Sequence, residues 1–599
     1  MAGGYHGRAA ILDASTGECR LEMLSESELR GFVGGVGLGS RLLLRHRPDR
    51  TPPLDPAAVL VFALSPLVGS PLTTSAKFAV VGISPLTGRI CDALSSSHFA
   101  IAAKRVGVDA LVVRGAAAEP SFLLVEGASS SEERPRSRLV SAREWWGATA
   151  AEAEAGIRDR FGSDLQVAAI GAAGERLVPF ATISHDGRHA GRGGLGAILG
   201  SKRIKAIAVR GDRRASLTDP EATIALAKRL SERSFGPATE KYRELGTIAN
   251  LLVFNRLQAL PTRHFATGRF ETADRLVDDS LQPALRIARN SCAACTIGCE
   301  HVFAVGPDRG GSRGGVRLEY ESLFALGPLC GVDDSEFVLR AARACDDFGV
   351  DTISTGGTIA FAMECAERGW IDAPWLRFGS GEAVLEAIER LRDPSDGVGG
   401  LLAMGSRRMA ERLGPHAEAI AVHVKGLELP GYDPRRLPAM ALGLAVGTRG
   451  ADHNRSGAYE ADFSNRVDLD DATGRSFARA VIETEDRAAL IDSLILCKFL
   501  RGVFGDLFAE SAEMLRAVTG WDVDGDELHR TAKRIVDLRK HINEREGWTR
   551  AEDRLPARVA AEPGTAAAAE STRIDAYYLE RGWDLEGRLR SEIAREFDG

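Results

Sequence analysis

Four cysteines constrain this chain more than any other feature. Three crowd into Asn290-Ser-Cys292-Ala-Ala-Cys295-Thr-Ile-Gly-Cys299, and the fourth stands far downstream in Asp492-Ser-Leu-Ile-Leu-Cys497. A CxxC pair forms a tight turn that aims two thiolates at one point, and Gly298 eases the bend that brings round a third. A cubane iron–sulfur cluster takes four thiolates, and a remote cysteine is one way to supply the last. A fold that completes such a set must return position 497 to the 292–299 loop. The competing reading is a structural zinc site, which also uses CxxC but normally pairs it with a second one; the chain has no second CxxC.

Bulk properties exclude several classes. At 599 residues the chain is too long for one core, and three domains are expected. Its net charge of −7 argues against nonspecific nucleic-acid binding, which needs a basic face. No apolar run approaches the ~18–20 residues of a membrane span; the best, Ala58-Val-Leu-Val-Phe-Ala-Leu64, stops at Ser65-Pro66. The N-terminus lacks the basic-then-apolar pattern of a secretory signal. Nine cysteines, an odd number, do not read as a disulfide framework. The expected compartment is a reducing cytoplasm.

Residues 1–214 are rich in strand signals. Segments 8–12 and 19–23 flank the turn Asp13-Ala-Ser-Thr-Gly17 and read as a hairpin. Strand-like runs recur at 59–64, 77–83, 110–114, 122–126, 167–171 and 206–210, which suggests a β-rich base domain with few helices. Ser25-Glu-Ser-Glu28 predicts a capping box. Gly34-Gly35-Val-Gly37-Leu-Gly39 resembles a nucleotide-binding loop, but that fingerprint follows a strand and this string follows a helix. It reads as a helix end and tight turn. Two further segments look functional: Lys77 to Gly88 with Asp92-Ala-Leu-Ser-Ser-Ser97, and Arg188-His-Ala-Gly-Arg-Gly-Gly-Leu-Gly196. Clustered glycines let backbone N–H groups approach an anion, and arginines add charge-assisted donors. A glycine-rich turn between strands is the alternative.

After Gly211 helical patterning takes over. Thr218-Asp-Pro-Glu221 starts a helix. Residues 335–347 are amphipathic and stop at Gly349. Segments 356–367, 382–391, 401–413 and 477–500 also read as helices, 419–424 as a short strand, and 551–572 as a surface loop. Val305 to Gly315 is glycine-rich, and Tyr577-Tyr-Leu-Glu-Arg-Gly-Trp-Asp584 is aromatic enough to dock as a tail. The expected domains are 1–214, 215–420 and 421–599.

With these stretches in hand, the chain resembles the aldehyde ferredoxin oxidoreductase family of tungsten enzymes over nearly its whole length. Members carry CxxCxxxC plus a distant cysteine for one 4Fe–4S cluster, here Cys292, Cys295, Cys299 and Cys497. They also carry two pterin-binding signatures, DxxGxD and DxxGxC. The first is Asp346-Asp-Phe-Gly349-Val350-Asp351. The second is Asp492-Ser-Leu-Ile495-Leu496-Cys497, with Ile in the glycine position. Aspartates accept hydrogen bonds from pterin N–H groups, and Gly ends the preceding helix so that the carboxylate can face the ligand. The implied fold is α+β: an N-terminal β-sheet base domain cradling two pyranopterins around one tungsten or molybdenum, followed by two mainly helical domains. Three departures stand out. Lys77 replaces the usual Arg of a phosphate-facing segment and loses its bidentate fork. Leu94 and Ser96 fall within the segment usually written DSNSGG, whose Asn position helps hold the magnesium that bridges the pterin phosphates. Arg188, His189, Gly191 and Arg192 fill the other phosphate-loop positions, with His189 where a small residue is usual. Arg449-Gly-Ala-Asp-His453-Asn-Arg455 resembles the family's RGxxHxR/K loop.

The resemblance implies oxidation of an aldehyde to a carboxylic acid, with electrons leaving through the cluster to ferredoxin. Glu321 and His453 match the acid–base positions beside the metal. Burial raises a carboxyl group's pKa toward neutrality, and imidazole titrates in the working range. Capping or solvated carboxylates and a structural histidine are the bland readings. Two other functions stay open: reduction of a carboxylate or activated aromatic acid with the same cofactor, and a cofactor-poor iron–sulfur electron carrier. No nucleic-acid or membrane partner is expected, and a homodimer is one arrangement left open.

Overall fold

The computed structural model describes residues 2–96, 98–128, 134–277, 286–305, 315–464, 466–560 and 565–598, with side chains of the last stretch described from 569. Ser97 and residues 306–314 of the glycine-rich stretch lie outside the described residues. The chain forms two compact units. The first comprises Met1–Glu240, Ser291–Gly298 and Asp486–Gly547; the second comprises Lys241–Asn290, Cys299–Glu485 and Trp548–Gly599.

The first unit holds two six-stranded sheets. In one, the strands run in the order Cys19–Met23, Arg8–Asp13, Ala110–Arg114, Leu60–Ala63, Lys77–Ile83, Ile90–Ser96. In the other the order is Arg188–Ala190, Ile183–His185, Gln166–Ala169, Ile204–Arg210, Ser121–Glu126, Arg136–Ser141. The hairpin expected near the N-terminus forms, with Arg8 opposite Met23 and Leu12 opposite Cys19. Strand Lys77–Ile83 is buried from Phe78 onward, so it reads as a continuous apolar run rather than an alternation. Phe62, Phe78 and Val80 of the first sheet share one core with Leu123, Ile207 and Val209 of the second and with helices His98–Arg105 and Leu195–Ser201. Each such side chain contributes roughly 1.5–3 kcal/mol by leaving water. The base region is more helical than expected, because helices Gly35–His46 and Ala150–Phe161 also pack on its sheets.

The Gly34–Gly39 string is not a helix end. The preceding helix, Glu26–Phe32, stops short of it, and Gly35–His46 is a second helix. A Cβ at Gly37 would lie 2.8 Å from Ile535 Cδ1, and one at Gly39 2.6 Å from Val81 Cγ2. These glycines let the helix lie close on the sheet and on helix Gly525–Arg545. The capping box is also half-formed: Ser25 accepts from Glu28 N–H (3.2 Å), while the Glu28 carboxylate pairs with Arg45.

In the second unit, helix Ser335–Phe348 ends at Gly349 in the left-handed region (φ 86°), as expected. Segment 401–413 splits into Gly397–Leu402 and Ser406–Leu413, because Gly405 takes φ 78° between them. The strand expected at 419–424 shrinks to His423–Val424, paired with Leu427–Glu428. The expected loop 551–572 is a helix from Thr565 to Arg581; residues 561–564 lie outside the described residues. Alanine, the best helix former, overrode the loop reading. Tyr577, Tyr578 and Trp583 are buried, so the aromatic tail docks.

One buried ion group gives the first unit a pH dependence. His185 Nδ1 donates to Val167 O (2.6 Å) and lies 3.2 Å from Glu154 Oε1, while Nε2 lies 2.9 Å from Asp186 Oδ2. Burial alone would lower the His185 pKa, but Asp186 and Glu154 outweigh it and lift the value to about 9. The folded value exceeds the unfolded one of ~6.5. The contribution is therefore complete below pH ~6.5 and is lost as pH rises through about 9. On the order of 3 kcal/mol is expected to go over that window. Denaturant melts at pH 6.5 and 9.5 read it. His185→Gln protein should lack this decline, and equal declines in both proteins would take the charge off His185.

Candidate functional site

Cys292, Cys295 and Cys497 come together in the first unit. The junction is residue Thr74, whose N–H donates to Ala294 O (2.6 Å) and whose Oγ1 accepts from Cys497 N–H (3.1 Å). Beside it, Thr73 Oγ1 accepts from Thr296 N–H (3.0 Å). Thr296 Oγ1 in turn lies 2.6 Å from Ser234 Oγ. Burial, then the neighbouring Cys497 and Cys292, push the Cys295 thiol up to about 11. Three half-buried thiols, two of which help raise the pKa of the third, suit a metal centre, which would take them as thiolates. Cys299 falls in the second unit and precedes its strand Glu300–Ala304. Cys330, Cys345 and Cys365 are fully buried single thiols, ordinary core residues.

Lys77 faces this thiol group. Burial alone would lower its pKa, but Cys497, Cys292, Asp492 and Cys295 outweigh it and hold the ammonium above the ordinary lysine value. Lys498 Nζ sits 3.1 Å from Asp492 Oδ2, so two ammonium groups neighbour that carboxylate.

The two DxxGx(D/C) signatures share one backbone device. After Asp346, Gly349 turns left-handed and Val350 N–H donates back to Cys345 O (3.0 Å). After Asp492, Leu496 N–H donates back to Ile491 O (3.0 Å). Both are the six-to-one bond of a Schellman turn. Ile495, in the glycine place, still adopts φ 63°. A β-branched residue there is a true outlier and stores roughly 1–3 kcal/mol of strain. The residue that follows the turn differs in each case. Asp351 caps helix Thr352–Glu367, accepting from Ile353 N–H (3.2 Å) and Ser354 N–H (3.3 Å). Cys497 instead leads into a short turn, since the helix expected through residue 500 ends at Leu494.

The segments expected to face phosphate lie on neighbouring strands of the first unit. Leu94 pairs with Ala79 and Ser96 with Lys77 in the antiparallel ladder. Ser96 Oγ donates to Ala76 O (3.3 Å). Strand Arg188–Ala190 packs on Ile90–Ser96. His189 Nδ1 lies 2.7 Å from Ser184 Oγ, and Arg192 is buried. Gly193 and Gly194 need their glycine identity: both have positive φ, and a Cβ would meet Cys91 Sγ at 2.1 Å and Pro179 O at 1.8 Å. A Cβ at Gly191 would meet no atom within 4 Å. Asp92 is fully buried and accepts from Arg539 Nη2 (2.6 Å), itself on helix Gly525–Arg545.

In the second unit, Glu321 and His453 meet. Glu321 lies in the first turn of helix Tyr320–Leu326, with its Oε1 3.5 Å from His453 Nε2. Its Oε2 accepts from Gly431 N–H (3.0 Å). A Cβ at Gly431 would lie 2.8 Å from Tyr320 Oη, so only glycine lets that amide approach. His453 opens the short helix His453–Ser456, which Asp452 caps by accepting from Asn454 N–H (2.8 Å) and Arg455 N–H (3.1 Å). Arg449 Nη2 holds the same Asp452 at 2.6 Å. The imidazole stacks on Tyr432 (4.9 Å, 27°), and Asn454 Nδ2 lies 2.9 Å from its Nε2. A carboxylate and an imidazole so fixed can take up a proton and pass it between them. Glu319, in contrast, is the N-cap position and its carboxylate accepts from Thr247.

Sequence reasoning passed over Thr74, Asp452 and Tyr432. Only Asp452 left a signal, an Asp immediately before the first residue of a helix. It also passed over the HxxxH spacing His185-Asp-Gly-Arg-His189. Ligand atoms of Glu154, His185 and Asp186 lie within 4.8 Å of one another. The carboxylates sit on opposite ring nitrogens of His185, however, so they do not converge on one ion. His189 pairs with Ser184 across the hairpin, which places it on the other face from His185.

Sequence models described as "Aldehyde ferredoxin oxidoreductase, N-terminal domain" and "Aldehyde ferredoxin oxidoreductase, domains 2 & 3" match residues 9–211 and 223–598. The chain is 35% identical to the tungsten-containing aldehyde ferredoxin oxidoreductase of Thermococcus kodakarensis, over 99% of this chain and 98% of that protein. It is 34% identical, with the same coverage, to the protein of that name from Pyrococcus furiosus. A Pyrococcus furiosus protein named aliphatic sulfonate oxidoreductase, WOR-like subunit, is 24% identical over 99% of this chain and 96% of that one. A solved structure, the BamBC active-site complex of benzoyl coenzyme A reductase with 1,5-dienoyl-CoA, superposes with a TM-score of 0.85. It covers 100% of this chain and 97% of that one at 22% identity, a likeness of fold. No helix among the described residues is long and apolar enough to cross a membrane.

Proposed function

The chain belongs to the aldehyde ferredoxin oxidoreductase family, and from that premise we propose that it oxidises an aldehyde to a carboxylic acid on a tungsten- or molybdenum-pterin group and passes the electrons through a 4Fe–4S cluster to ferredoxin or a similar carrier. The observation that carries the reading is the pair Glu321 Oε1 and His453 Nε2, 3.5 Å apart.

Cys292, Cys295, Cys299 and Cys497 would hold the cluster. Asp346, Asp351 and Asp492 would accept from pterin N–H groups. Arg188 and Arg192 would face the pterin phosphates, with magnesium near Leu94 and Ser96. The chemistry such a metal–pterin group supplies when bound is Lewis-acid polarisation of a carbonyl and a two-electron sink. Oxidising an aldehyde with water to the acid releases two electrons and two protons. The protons are the task of the chain itself. Glu321, oriented by Gly431 N–H, takes up a proton near the reacting carbon, and His453 relays it. Tyr432 and Asp452 hold the ring plane and its helix in place.

The test is metal and pterin analysis of anaerobically purified protein with an aldehyde-dependent dye-reduction assay. The expected result is about two pterins per tungsten or molybdenum, iron and sulfide in equal amounts, and reduction of a viologen dye only when aldehyde is present. Protein carrying zinc and no pterin would sink the reading. Full cofactor with oxidation of reduced dye by a carboxylate or aromatic acid, and none with aldehydes, would turn the reaction round.

A further inference from the structure

We propose that the Thr74 hydroxyl is a positioning group that sets the reduction potential of the cluster, by joining its two ligand segments and keeping the Cys497 amide on an oxygen atom. The inference rests on the cluster reading above. Thr74 has a bond to each side: its N–H donates to Ala294 O, inside the CxxC turn, and its Oγ1 accepts from Cys497 N–H. The contact spans 423 positions of sequence, so nothing local dictates it.

The backbone around this junction is bent to make it. Thr74 has φ 66°, Ala294 φ 50° and Ile495 φ 63°, three non-glycine residues in the left-handed region. Each is uncommon, and for β-branched Thr and Ile it is an outlier. Strain of this kind persists only where the surroundings over-determine the conformation. Thr74 is also almost fully buried, so its hydroxyl cannot exchange the Cys497 amide for water.

The electronic consequence follows from general cluster chemistry. Potentials rise with hydrogen bonds to cluster or cysteine sulfur, because such bonds stabilise the more negative reduced state. An amide N–H makes one good bond. While Thr74 Oγ1 takes the bond from Cys497, that amide is not offered to sulfur. Removing the hydroxyl at constant shape releases it.

Valine replaces threonine isosterically and keeps the β-branch, so Thr74→Val changes the hydroxyl and leaves backbone strain as it was. Serine keeps the hydroxyl. In holo protein with iron and sulfide measured, the midpoint potential of the cluster is read by EPR-monitored redox titration. Thr74→Val is expected to shift the reduction equilibrium about tenfold toward the reduced cluster, which is ~59 mV more positive for one electron, while Thr74→Ser stays with wild type. Loss of iron from Thr74→Val with retention in Thr74→Ser supports the same role at its limit. A wild-type potential in Thr74→Val at full iron content overturns the proposal and leaves Thr74 a packing residue. Equal loss of iron from both variants overturns it too, because the hydroxyl is then not the cause. Wild-type protein that lacks iron would instead refute the cluster reading, and the two failures are told apart by that control.

Discussion

Glu321→Gln and His453→Asn are each expected to lower turnover ~10²–10⁴-fold, the span of lost acid–base catalysis, with metal, pterin, iron and sulfide unchanged. The expectation comes from geometry. The two groups are 3.5 Å apart and each is fixed from outside the pair, Glu321 by Gly431 N–H and His453 by the Tyr432 ring and its capped helix. Glutamine keeps the bond from Gly431, so the variant isolates the proton from the fold. The double variant should cost little more than either single one, because residues that act as a unit are not additive. Steady-state rates with a saturating aldehyde, beside cofactor analysis, decide it. Wild-type turnover at full cofactor in either single variant strikes that residue from the mechanism.

Cys497→Ser is expected to lose most of the iron and sulfide, and with them electron transfer to a one-electron acceptor. The Cys497 thiol lies near enough to Cys295 to push its pKa up, and removing it leaves the CxxC turn without its partner from the remote segment. Cys330→Ala is the control. That thiol is fully buried and donates to Ala325 O (3.4 Å), so its loss should leave iron content alone. Full iron and sulfide in Cys497→Ser protein would remove Cys497 from the ligand set.

Much of this was legible in the chain because the signals were local. The strand at 77–83 and the stop at Gly349 depend on neighbours a few positions away, and both stand as read. Glu321 and His453 were legible as motif positions only; that they meet is a fact of tertiary structure. The glycine string at 34–39 misled because a glycine needed for a loop and one needed for close helix packing look alike in sequence. The difference lies in Ile535 and Val81, which no window around residue 37 contains. Thr74 was invisible for the same reason, since its partner is Cys497. Ile495 concealed a left-handed turn by carrying a residue that rarely makes one. Lys77 was read as belonging to a phosphate-facing segment; that Cys497, Cys292, Cys295 and Asp492 are also its charged neighbours is a fact of tertiary structure that the segment does not display.

The buried bond between Asp92 and Arg539 also fixes an order of events during synthesis. Its partners are 447 residues apart. At ~5–20 residues per second on the ribosome, the cation follows its carboxylate by roughly 20–90 seconds. Until then the strand that carries Asp92 either stays open to water or buries the carboxylate without Arg539, and losing one partner of a buried pair costs several kcal/mol. The same wait applies to the glycine-faced helix Gly35–His46, whose neighbour Ile535 emerges in the same late stretch. The N-terminal sheets are thus made first and finished last, and a nascent chain cut before residue 539 leaves them incomplete.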